Sequence, residues 1–269
     1  MSPVHTPFEE LNAVLADLTS TVRDILGDTY VGAYVQGSFA LKAGDMDSDC
    51  DFIVAVTEPP SGKAEADLRA LHDEIPTRPG FWTGHLEGSY ADTTSLRGVE
   101  GLGVPWLFCD HGHRELIWDT HCNSLHTRWI LRNHGITLDG PPIADLVDEV
   151  PPDAMREAAR EALPDVLDGI RTWASFDWAW TQRYIVATHC RVLYTLFTAQ
   201  VASKRGAMEW AYDTLDPRWR PLLTQVIEDR SRGADPDDPP RPGSLAAARE
   251  FARHVVTLGA RRGSSPAGS

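Results

Sequence analysis

The chain of 269 residues carries 39 acidic against 25 basic side chains, a formal net charge of −14 at pH 7. That balance argues against the basic face a general nucleic-acid binder presents to phosphates, and it suits a cationic partner. With 42% hydrophobic and 24% charged residues the composition is that of a folded chain, long enough for one large or two ordinary domains without disulfide or metal staples. Cys50, Cys109, Cys122 and Cys190 form no CxxC pair and no finger spacing, so reduced thiols and a cytoplasmic location are expected. The N-terminus lacks a basic region followed by an apolar one, and no apolar run approaches the ~18 residues of a membrane span, so no membrane association is expected.

In chain order, Leu11, Val14, Leu15, Leu18, Val22 and Ile25 follow the i, i+3, i+4, i+7 spacing of an amphipathic helix that Gly27 stops. Tyr30 to Val35 reads as a strand, Gly37-Ser38 as a turn, and Phe52 to Val56 as a second strand after an aspartate-rich turn. A helix is expected over 63–75 and further short strands over 84–90, 104–109 and 114–119. From Ser124 onward the pattern turns helical, over 124–134, 153–174, 177–201, 204–214, 217–231 and 244–258. Asp139-Gly140-Pro141-Pro142 and Pro151-Pro152 mark loops, which divides the chain into residues 1–150 of mixed α and β character and a helical part, 151–262. The stretch 233–243, GADPDDPPRPG, reads as a loop or linker, and 263–269 as a disordered tail.

The densest chemical signal is Gly37-Ser38 followed by Asp45, Asp47, Asp49 and Asp51, the last at the mouth of an apolar run. On an extended strand residues i and i+2 share a face, so Asp49 and Asp51 would bring two carboxylates together. Their repulsion is relieved by a divalent cation, and Mg²⁺ needs few protein carboxylates because water and nucleotide phosphates complete its shell. Taken singly, each element has a plainer meaning: an isolated Asp-x-Asp is most often a solvated turn, and Gly-Ser a tight turn after a strand. An EF-hand starting at Asp47 is excluded because Phe52 stands where that loop needs glycine. Asp45 and Asp47 fall outside the pair and are expected to shape the loop.

In combination, a strand, Gly37-Ser38, a ten-residue interval and Asp49-x-Asp51 leading into an apolar strand resemble the nucleotidyltransferase superfamily related to DNA polymerase beta. The resemblance implies that the Gly37-Ser38 turn offers amides and a hydroxyl to nucleotide phosphates, and that Asp49 and Asp51 hold Mg²⁺. A third carboxylate is then expected on a neighbouring strand, and Glu87 in His85-Leu-Glu-Gly-Ser-Tyr90 is best placed. By similarity to the aminoglycoside adenylyltransferases, Glu87 would be the general base that accepts the substrate hydroxyl's proton. Its plainer reading is an edge-strand glutamate facing water.

The resemblance extends into the helical half. Arg191 in Thr188-His-Cys-Arg-Val-Leu-Tyr194, Lys204 in Val201-Ala-Ser-Lys-Arg-Gly206, and Glu209-Trp210-Ala211 followed by Asp216-Pro-Arg-Trp219 are similar in order and spacing to the C-terminal domain of the streptomycin/spectinomycin 3''-adenylyltransferase family. It implies that Arg191 and Lys204 contact the ATP phosphates, although Lys204 alone would read as a solvated helix cap. Trp173 and Asp177 match positions that contact a cationic drug through an aromatic plane and a carboxylate. Tryptophan at helical spacing is more often core. Thr181, where a further acidic contact is expected, and Arg230, where an aromatic one is, depart from the family pattern.

Together these readings describe an α+β chain: a polymerase-beta-like nucleotidyltransferase domain with a mixed sheet, then an α-helical bundle closing a cleft over the acceptor. It is expected to act as a monomer that uses two Mg²⁺ ions, ATP and a small cationic antibiotic, streptomycin or spectinomycin, without nucleic acid. Two rivals stand beside it: transfer to another small-molecule or protein hydroxyl, and a nucleotide-binding regulator without chemistry.

Overall fold

The computed structural model describes residues 5–263, which divide into two compact units between Val150 and Pro151. In the first unit, α1 (Glu9–Leu26) buries Leu11, Leu15, Leu18 and Val22 along one stripe and ends at Gly27, whose φ of +53° suits a residue without Cβ. It leads to β1 (Tyr30–Val35), the single helical turn α2 (Gly37–Ala40), β2 (Cys50–Val56), α3 (Gly62–Glu74), β3 (Leu86–Asp92), α4 (Thr93–Arg97), the hairpin β4 (Trp106–Cys109) and β5 (Leu116–Asp119), α5 (Leu125–His134) and β6 (Ile136–Asp139). The six strands form one mixed sheet in the order β5-β4-β3-β2-β1-β6, antiparallel throughout except that β2 and β3 run parallel.

Period-two alternation explains both layers against this sheet. Val35, Phe52, Val54, Leu86, Tyr90 and Leu107 pack on the stripe of α1 and on Leu68 and Leu71 of α3. The intervening residues Tyr34, Ile53, Ala55, Ala91, Trp106 and Phe108 pack with Leu96 of α4 and Leu131 of α5 on the opposite face. Arg128 of α5 is fully buried there, donating to the carbonyl oxygens of Ser95 (2.6 Å) and Ser124 (3.1 Å) with its guanidinium 5.5 Å from the Trp106 ring. All four cysteines are buried and free.

Several differences from the sequence reading concern this unit, the short helix α4 among them. Gly37-Ser38 opens the helical turn α2 where a bare turn was expected. β2 and β3 are seven residues each, and β2 starts at Cys50, so Asp49 immediately precedes the strand. β6 was not expected, because four half-buried residues beside a proline-rich loop carry no alternating pattern. It forms by pairing with β1, Val35 opposite Ile136 and Tyr34 opposite Thr137, and Asp139 at its end takes Arg23 and Tyr30 as partners at 3.0 and 3.1 Å.

The second unit is helical: α6 (Pro152–Ala162), α7 (Val166–Arg171), α8 (Ala179–Thr198), α9 (Lys204–Thr214), α10 (Arg220–Glu228) and α11 (Ser244–Gly263). Ile185, Val186, Cys190 and Leu193 of α8 lie at its core with Met208, Leu223, Phe251 and Val255. The helix expected over 153–174 is two, because Pro164 lacks an N–H and a 3₁₀ turn over Leu163–Asp165 takes its place. The 217–231 helix likewise keeps only α10, between 3₁₀ turns. The 233–243 segment is a loop tied back to the bundle. Arg241 donates twice to Asp229 (2.7 and 2.6 Å), and Arg183 of α8 donates to Asp238 (3.0 Å) and to the Gly233 carbonyl oxygen (2.8 Å). The Arg241 guanidinium holds the Asp229 carboxyl below the usual carboxylate range. α11 runs through Gly263, and the rest of the expected tail, 264–269, lies outside the described residues. Among the described residues no helix is long and apolar enough to cross a membrane.

Candidate active site

Three carboxylates gather where β2 and β3 begin. Parallel pairing sets Asp51 opposite Glu87 in a continuous register from Cys50↔Leu86 to Val56↔Asp92, so their side chains leave the same face of the sheet. Farther along, that face is covered by the apolar layer around Ile53, Ala55 and Ala91, which confines the carboxylates to the strand mouths. The Glu87 side chain keeps only 16% of its surface exposed and that of Asp49, just ahead of β2, keeps 41%.

Gly37 and Ser38 close against this group. The Gln36 N–H donates to the Asp51 carbonyl oxygen at 2.9 Å, tying the start of α2 to β2. Gly37 has φ +64°, and a Cβ built there would overlap the Asp51 carboxylate. The hydroxyl of Ser38 is buried and has no hydrogen-bond partner. A buried hydroxyl left in that condition is costly. Asp45 shapes the preceding loop by accepting from the Asp47 N–H (3.1 Å) and the Ser48 hydroxyl (2.8 Å). Gly37→Ala is expected to destabilise the chain by about 1–2 kcal/mol from the left-handed backbone alone, with additional loss from the overlap. Urea unfolding checks this.

Two histidines complete the group. The His111 ring contacts the Asp49 carboxylate through Nδ1, and His121 Nε2 lies 3.3 Å from Glu87 Oε1. Both are raised above the ordinary imidazole pKa: His111 chiefly by Asp49 and further by Glu87 and Asp110, His121 chiefly by Glu87 and further by Asp110 and Asp119. His111 thus lies in the field of both Asp49 and Glu87. Sequence reasoning missed both histidines. They lie in the segments on either side of β5, and no spacing in the chain connects His111 to Asp49, 62 residues earlier, or His121 to Glu87, 34 residues earlier; only the sheet pairing brings them there.

Among the described residues no group of three or more His, Cys, Asp and Glu side chains is arranged to hold a metal ion by itself. The donors present, hard carboxylate oxygens beside an unpartnered hydroxyl and a closely approaching glycine, suit a cation that draws its other ligands from phosphate and water.

In the helical unit, Arg191 lies on α8 and Lys204 opens α9, whose N-cap Ser203 accepts from the Gly206 N–H at 3.0 Å. The Arg191 Nε is buried without a hydrogen-bond partner, and the Lys204 ammonium lies 5.2 Å from the ring of Tyr184, two helical turns before Arg191. Trp173, 56% exposed, and Asp177 line one open depression of about 510 Å³ with Arg171 and Arg249. Trp173 stands edge-on to Tyr184 at 5.4 Å, whereas Trp219 is buried in the core. Thr181 is fully buried, and Arg230 lies in the 3₁₀ turn Asp229–Arg232.

Comparison with known proteins gives a consistent picture. The family model "Aminoglycoside adenylyltransferase, C-terminal domain" matches residues 145–257. An aminoglycoside (3'') (9) adenylyltransferase of Shigella flexneri is 33% identical over 240 residues, covering 81% of this chain and 84% of the relative. A spectinomycin 9-adenylyltransferase of Staphylococcus aureus is 24% identical over 79% of this chain and 82% of its own. The crystal structure of a spectinomycin adenyltransferase from Enterococcus faecialis, solved with ATP and spectinomycin, has the same fold with a TM-score of 0.66 and 15% identity, covering 92% of this chain and 98% of that one.

Proposed function

The chain belongs to the aminoglycoside adenylyltransferase family, and from that membership we propose that it transfers AMP from ATP to a hydroxyl of an aminoglycoside-type antibiotic, spectinomycin or streptomycin, and so confers resistance. The observation that carries the reading is the register that sets Asp51 beside Glu87, with Gly37 closed against Asp51. The acceptor oxygen attacks the α-phosphorus, the bond from that phosphorus to the bridging oxygen breaks, and its electron pair leaves with pyrophosphate. Glu87 takes the acceptor's proton. Asp49 and Asp51 would hold Mg²⁺, two ions in the full reading, and the bound metal would neutralise charge on the triphosphate. Ser38, Arg191 and Lys204 donate to phosphate oxygens; the buried unpartnered Oγ of Ser38 and Nε of Arg191 support that assignment. Trp173 and Asp177 contact the drug, whose positive charge matches the acidic chain. The enzyme acts as a cytoplasmic monomer.

Pyrophosphate release from ATP and Mg²⁺, measured with spectinomycin, with streptomycin and with glucose as a hydroxyl control, tests the proposal. Release with a drug and none with glucose is the expected result. Equal release with glucose would move the acceptor elsewhere, and ATP binding without release in any mixture would leave a nucleotide-binding regulator. For Asp177→Ala, a loss of about tenfold in streptomycin affinity with spectinomycin unchanged is expected, because the guanidinium groups of streptomycin can pair with a carboxylate and spectinomycin has none. Titration of both drugs against one protein separates this from a general loss of stability, which would weaken both equally.

A further inference from the structure

We propose that His121 is the positioning residue for Glu87, its Nε2–H fixed on Oε1 so that the other carboxylate oxygen is left to receive the acceptor's proton. The inference rests on the reading of Glu87 as the base. Its geometric support is that His121 is held from three directions. Its backbone N–H donates to Asp119 Oδ1 at 2.7 Å, its ring stacks on Phe108 with centroids 5.0 Å apart and planes 27° from parallel, and Nε2 faces Glu87 Oε1 at 3.3 Å. Two residues on, the buried Asn123 anchors the segment by donating to the carbonyl oxygens of Gly101 (2.8 Å) and Val104 (2.7 Å). The His121 side chain keeps 62% of its surface exposed, so these contacts and not burial hold the ring. A glutamate side chain has three rotatable bonds, and a base must meet its proton within hydrogen-bond reach, so one fixed oxygen removes much of the misorientation.

Phe108 supports the ring from β4, while the charged groups facing it are Glu87 from β3, Asp110 from the turn after β4 and Asp119 from β5. All three charges are anionic and favour the imidazolium, in which Nε2 must donate; the neutral ring performs the same task when its proton sits on Nε2. His121 itself passes no proton in this scheme.

The test combines turnover and spectroscopy on the full chain. His121→Ala is expected to lower kcat about tenfold with KM for ATP unchanged. His121→Gln, which keeps an N–H donor, is expected to recover most of kcat. Adding His121→Ala to Glu87→Gln is expected to cost nothing further, because the residue it orients is gone. A full tenfold loss on top of Glu87→Gln would overturn the inference. Imidazole titration by NMR without any substrate provides an independent reading: the His121 pKa should fall when Glu87 becomes glutamine, and an unchanged titration would equally overturn the pairing. A wild type that transfers no AMP to either drug would reject the proposed function while leaving the NMR comparison decisive for the pair.

Discussion

Asp51→Asn is expected to lower AMP transfer by about 10³-fold or more while the far-ultraviolet circular dichroism stays that of the wild type. Asp51 sits at the strand mouth beside Glu87, with Gly37 closed against its carboxylate, so no neighbouring side chain can supply the missing anion without breaking the β2-β3 register. In the proposed role Asp51 would hold Mg²⁺, and losing such a carboxylate would remove several kcal/mol of stabilisation from the charge that develops during phosphoryl transfer; about 4 kcal/mol corresponds to 10³-fold. Asparagine has nearly the same shape, so the packing of Cys50 and Phe52 beneath it is undisturbed. Single-turnover formation of adenylylated drug measures the effect, and wild-type turnover in this variant would remove Asp51 from the site. Asp49→Asn should behave similarly.

Glu87→Gln is expected to bind ATP and drug as the wild type does yet to turn over about 10²-fold more slowly, the lower scale of general-base loss. The amide preserves size and a hydrogen-bonding oxygen toward His121, but it cannot take a proton from a hydroxyl. Binding titrations alongside steady-state kinetics separate the two quantities. Weakened binding with unchanged kcat would assign Glu87 to substrate recognition in place of proton transfer.

Much of this architecture is local and therefore legible in the chain. The stripe of α1, the apolar runs of β1 and β2 and the stop at Gly27 follow from side-chain periodicity and backbone freedom, which act over a few residues. The Asp49-x-Asp51 spacing was legible too, but Asp49 lies just ahead of β2, so alternation along the strand places only Asp51 on its face. Helix ends in the second unit were less legible. Pro164 replaces one expected helix by two, and the residues around α10 tighten into 3₁₀ turns, since end geometry depends on what the last carbonyls find to bond.

By itself, then, the sequence determined that this is an α+β chain with a nucleotidyltransferase-like aspartate pair and a helical second half, and it nominated Glu87. Only the tertiary structure decided that Glu87 stands in register with Asp51, because strand pairing between residues 36 positions apart is settled by the whole sheet. It also decided that Ile136–Asp139 becomes an edge strand, and that the 233–243 loop is held to α8 by arginine and aspartate pairs. His111 and His121 are the clearest case. Their sequence neighbours carry no pattern that distinguishes them from other polar loop residues, and their place beside Asp49 and Glu87 comes entirely from the β3-β4-β5 ladder, which turns separation along the chain into proximity across a sheet.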